Sequence, residues 1–95
     1  MGLKEAYLSK REAQLKEWDA EIMKLHAKAE QAQAQVQIVY YEQVAALRAQ
    51  QTTVRDKLAQ MRQATGEAWE SVKVGFDSAW SDLKAGLAGA VAKFK

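Results

Sequence analysis

From Leu3 to Thr65 the chain contains neither glycine nor proline. Those are the two residues that most weaken a helix interior, by about 1 and about 3 kcal/mol relative to alanine. The same stretch is rich in Ala, Gln, Glu, Lys, Leu and Arg, all good helix formers. Nothing local in it forces the chain to turn. The sequence alone therefore predicts one helix over about residues 3–64, about 90 Å long at a rise of 1.5 Å per residue.

The apolar spacing agrees with a helix. Leu15, Trp18, Ile22, Leu25, Ala29, Ala32, Val36 and Val39 follow steps of three and four, and Leu8 lies one heptad earlier. This is the pattern of a coiled-coil seam. A second run, Tyr40, Val44, Leu47, Gln51, Val54, Leu58 and Met61, has the same spacing but is displaced by one residue. Such a skip near Val39–Tyr41 calls for a local change of winding or a shallow break. The stretch Ala27–Gln37 is low in complexity and alternates Ala with Gln. Alternation suggests a strand, but both residues form strands poorly, and the flanking period is helical.

Gly66 is the first interruption, and Thr65–Gly66 is the expected end of the long helix. Beyond it the pattern changes. Trp69, Val72, Phe76, Trp80, Leu83, Leu87, Val91 and Phe94 follow an eleven-residue repeat, in which Trp69 matches Trp80 and Gly75 matches Gly86. Lys73, Lys84 and Lys95 fall in the same register. Eleven residues over three turns is about 3.67 per turn, so the apolar stripe runs nearly straight along a helix. Gly75, Gly86 and Gly89 weaken this helix, which therefore needs a surface to lie against. That surface is either the protein's own core or a lipid interface, where such amphipathic, Trp-bearing helices also lie.

Chemistry is sparse. The chain has no cysteine and a single histidine, His26, which lies four residues before Glu30. One imidazole and one carboxylate are too few ligands for a zinc site. No nucleophile elbow or phosphate-binding loop is present. Carboxylates such as Glu17 and Glu21 lie on a helix surface, whereas general acid work needs a pocket. An enzyme is not expected, and neither is a cofactor, a metal site or a small-molecule substrate.

Charge gives no nucleic-acid footprint either. Residues 1–65 hold ten basic and eight acidic side chains, and residues 66–95 hold four of each. The signs are mixed, with no basic block. No apolar run is long enough to span a bilayer, and the first residues lack an apolar leader. The cytoplasm is the expected compartment, with the membrane periphery as the alternative.

The eleven-residue units of the tail resemble those of exchangeable apolipoproteins and alpha-synuclein. The likeness covers about a quarter of the chain and implies reversible lipid binding. It departs from them in lacking both punctuating prolines and the Lys-Thr-Lys-Glu-Gly-Val core. The whole chain also looks similar to small bacterial coiled-coil proteins of the stress-response type, through Gly66-Glu67-Ala68-Trp69-Glu70 and Trp80-Ser81-Asp82-Leu83-Lys84. That resemblance implies a non-enzymatic helical protein. Neither carries over a functional residue.

The sequence thus predicts an all-α fold of two units. Residues 1–65 form a long coiled-coil helix and residues 66–95 a shorter amphipathic helix, together a helical hairpin within an oligomeric bundle. The tail can cover only half of the long helix. Leu8, Leu15, Trp18, Ile22, Leu25, Val36 and Val39 would then be exposed, so they are the expected self-association face of a homo-oligomer. The competing arrangement is a break near Val36–Tyr41 that lets residues 3–36 fold back into a monomeric three-helix bundle. Trp69, Val72, Phe76, Trp80, Leu83, Leu87, Val91 and Phe94 are the expected core or lipid face. The expected function is interaction or scaffolding through self-association, with reversible lipid-surface binding by residues 69–94 as the alternative.

Overall fold

The computed structural model describes residues 2–94. It holds three helices: α1 over Leu3–Gln31, α2 over Ala34–Gln63 and α3 over Glu67–Lys93. No strand occurs among the described residues. The long single helix is therefore corrected, because the chain turns back between Gln31 and Ala34. The molecule measures 51 × 20 × 17 Å, far short of the length a continuous helix would need.

Two residues make that turn. Ala32 has φ −74 and ψ 157, and Gln33 has φ −62 and ψ 148. Both are ordinary extended conformations, open to any L-residue. Two such residues interrupt the helical hydrogen bonding, and the chain reverses without a glycine. A single helix would leave both apolar seams in water. Folding back lets Leu8, Leu15, Ile22, Leu25 and Ala29 of α1 meet Val44, Leu47, Val54, Leu58 and Met61 of α2, and all are buried. Each fully buried large apolar side chain contributes about 1.5–3 kcal/mol. That outweighs the few helical hydrogen bonds lost at the turn.

The second connection uses glycine. Gly66 has φ +57 and ψ −129, a conformation that strains any residue with a Cβ. α3 then runs back along α2. Gly75 faces Lys57, and Gly86 faces Leu47 and Gln50, so α2 and α3 are antiparallel. A Cβ on Gly86 would lie 2.6 Å from the Gln50 side-chain oxygen and 3.3 Å from a Leu47 methyl carbon. The glycine there permits close helix approach, a packing role for one of the tail glycines. Phe76, Ile22, Met61, Leu83 and Val54 are the largest fully buried side chains and define the core where the three helices meet.

α1 and α3 run parallel and make the sparsest helix–helix contact. Large side chains fill the space between them. Trp18 stacks on Trp80 with ring centroids 4.2 Å apart. Tyr7 meets Trp69 and Phe76 edge-on at 6.1 and 6.2 Å. Arg11 lies over Trp80, 4.6 Å from the ring centre. These are cation–π and aromatic contacts of a partly open seam.

Candidate interaction surface

The bundle has two ends. At one lie the start of α1, the end of α2 and the start of α3. There the Lys4 ammonium donates to the carbonyls of Arg62 and Ala64 and sits over the Trp69 ring. The Tyr7 hydroxyl donates to Asp77 Oδ1 at 2.7 Å, and Lys73 Nζ reaches Asp77 Oδ2 at 3.0 Å. Burial pushes the Tyr7 hydroxyl above its ordinary range, and its bond to Asp77 adds to the shift. Burial works to raise Asp77 as well. The Tyr7 and Lys73 hydrogen bonds outweigh it and hold the carboxyl below the usual carboxylate range. Glu12 pairs with Arg62 on the α1–α2 side. This end is tied by charge and hydrogen bonds.

In mid-bundle Asp19 accepts from Arg48 at 2.7 Å and from Gln51 Nε2 at 2.9 Å. Gln51 is the buried polar residue of the α2 seam. Its hydrogen bond, followed by that of Arg48, lowers the Asp19 carboxyl below its usual value. A polar side chain at a seam position fixes register between helices, and Gln51 has its partner on α1.

The opposite end, around the α1–α2 turn, is built otherwise. From Gln31 to Tyr41 the chain carries no charged side chain, between Glu30 and Glu42. Several apolar residues there remain in water: Val36, Ile38 (65% exposed), Val39 and Tyr41, with Met23 of α1 nearby at 57%. Between α1 and α2 runs an open cleft of about 570 Å³, lined by Met23, His26, Tyr41 and Val44. His26 Nδ1 lies 3.2 Å from Glu30 Oε1, and the His26 and Tyr41 rings are 5.5 Å apart. On the other side of the turn, Val36 and Tyr40 line a smaller hollow with Phe94. Tyr40 is anchored by stacking on Phe94 at 4.1 Å.

The residues singled out in the sequence divide between core and surface. Leu8, Leu15, Ile22 and Leu25 are buried inside this one chain, and Trp18 is half-buried against Trp80. Val36 and Val39, beyond the turn, are exposed. Phe76, Trp80, Leu83, Leu87 and Phe94 are buried, Trp69 and Val72 are half-buried, and Val91 is exposed. Apart from Val91, the eleven-residue stripe therefore faces α1 and α2 in this fold. Lys95, part of the repeat register, lies outside the described residues.

The apolar spacing does not mark Met23, Ile38 and Tyr41 as a surface. The signal that finds them is the absence of charge over Gln31–Tyr41 in a chain that is 27% charged. No helix among the described residues is long and apolar enough to cross a membrane. No cluster of three metal-ligating side chains occurs among them. No known family, curated protein or solved structure matches the chain.

Proposed function

We propose that this chain is a non-catalytic helical interaction protein that associates with a second copy through the uncharged end of its α1–α2 hairpin. The observation that carries the reading is the exposure of Val36, Ile38, Val39 and Tyr41 within an uncharged stretch. A two-fold interface sets the same surface patch of each copy against the other. A patch without charge meets its own copy with no like charges opposed. The seam residues Leu8, Leu15, Ile22 and Leu25 serve the chain's own core, which narrows the self-association face to the start of α2.

Sedimentation equilibrium over a wide concentration range tests this, run on the parent and on Ile38→Lys. The parent should move from monomer to dimer as concentration rises, and the variant should stay monomeric with the same helicity. A parent that is monomeric at every concentration would overturn the reading. Binding to lipid by α3 requires the bundle to open, since the stripe is covered. Co-sedimentation with anionic vesicles that survives Ile38→Lys would favour that alternative.

A further inference from the structure

The start of α2 is a helix whose sequence prefers another conformation. Gln35-Val36-Gln37-Ile38-Val39-Tyr40-Tyr41 holds three β-branched and two aromatic residues among its seven, with no charge, proline or glycine. Side chains of this kind favour strands, and β-branched ones lose rotamer freedom in a helix. The helix start does little to offset that preference. Gln33 at the N-cap makes no side-chain cap, and no acidic residue stands in the first turn. By contrast α1 has Glu5 and α3 has Glu67 and Glu70 in their first turns, where they complement the helix dipole.

Tertiary packing holds the segment only lightly. Val36, Ile38, Val39 and Tyr41 are all exposed. Tyr40 is the anchored side chain, through its stack on Phe94 and a long hydrogen bond of 3.5 Å from its hydroxyl to the Lys93 carbonyl. Gln37 Nε2 donates to the Glu30 carbonyl at 3.2 Å across the turn, in an exposed position.

As a strand the same residues sort cleanly. Val36, Ile38 and Tyr40 fall on one face, and Gln35, Gln37, Val39 and Tyr41 on the other. The first face carries two aliphatic side chains and one aromatic ring, without charge, and suits a mating surface. The second offers Gln and Tyr side chains that form ladders when identical strands stack. We propose that Gln35–Tyr41 is a homotypic cross-β assembly segment, kept helical by the native bundle and released when the hairpin end frays. Its partner is the same segment of a second copy. Like side chains ladder only against themselves, and the absence of charge lets them stack without repulsion. Glu30 and Glu42 flank the segment as charges that hinder stacking. This inference concerns a strand conformation and stands apart from helical dimerisation in the native state.

The test uses the full chain, agitated at a fixed interval below each protein's own melting midpoint. Thioflavin T fluorescence gives the lag time, and fibre diffraction gives the conformation. The parent should form fibres with a meridional reflection near 4.7–4.8 Å. Ile38→Lys places a charge on the mating face while keeping a good helix former, and should lengthen the lag at least about tenfold. Val74→Lys makes the same charge change at a 70% exposed site on α3 and should leave the lag unchanged. Aggregates of the parent without that reflection would overturn the proposal. So would fibres of Ile38→Lys that form with the parent's lag. Sedimentation of the native state reports separately on the helical dimer, so either idea can fail alone.

Discussion

At the Gly66 end, the turn rests on one residue at φ +57, and Lys4 with the Tyr7–Asp77 hydrogen bond ties the chain across it. At the Ala32–Gln33 end, the turn rests on two extended residues of ordinary conformation, and the helix that follows has no acidic residue in its first turn, where α3 has Glu67 and Glu70. The first end is specified by a residue that few others can replace. The second is specified by what the flanking helices bury. The difference teaches that a sharp reversal needs no special residue when two apolar seams can cover each other. It also leaves the second end with fewer polar ties and more exposed apolar surface.

The largest effect should come from Gly66→Ala. Alanine at that φ and ψ costs about 1–3 kcal/mol, whereas Ala32→Gly should cost no more than about 1 kcal/mol through chain entropy. Urea unfolding of the two variants measures both. Equal losses would erase the distinction between the turns.

Gln33→Ser should sharpen the comparison from the other side. Gln33 already has the extended backbone of an N-cap, and serine would supply the missing hydrogen bond to the first turn of α2. A gain of about 1 kcal/mol is expected. Hydrogen exchange should show the added protection concentrated in residues 34–38. Uniform protection across all three helices would mean that the hairpin end does not open by itself.

The smallest effect concerns acid. The Asp77 carboxyl lies below its ordinary value in the folded chain, so its contribution is present above the unfolded carboxylate range and is lost as pH falls through the folded value. The Asp77 side chain is 44% exposed and water screens its pairing, so about half a kcal/mol is at stake. Asp77→Asn should flatten stability against pH below about pH 4, near the unperturbed carboxylate value. An unchanged acid limb would place acid sensitivity elsewhere, with Asp19 as the next carboxylate to replace.

Much of this fold is legible in the residues, and the Ala32–Gln33 turn is the exception. Glycine at 66 marked its turn because its backbone conformation is rare. The eleven-residue stripe matches the buried side of α3 from Phe76 to Leu87; at its next step Ala90 is buried and Val91 is exposed. The hairpin turn left a different trace. The seam Leu8–Ala29 and the seam Tyr40–Met61 are displaced by one residue, and that displacement marked two helices with separate faces rather than one helix with a changed winding. The low-complexity Ala and Gln residues between them form helix or extended chain with little cost either way, so local preference alone could not locate the turn. Val36 and Val39 continue the first seam in number but lie past the turn, where that seam has ended. The candidate surface was harder to see. Exposure of Ile38 and Met23 follows from how the helices are rotated, which spacing alone does not give.

The Trp18–Trp80 stack joins the two helices that are least in contact otherwise. Two indoles at that separation couple electronically, and the pair should show a split far-ultraviolet dichroism band absent from either tryptophan alone. The third tryptophan, Trp69, lies apart, against Tyr7. The chain thus carries its own optical gauge of the α1–α3 separation, readable without a label whenever the bundle breathes.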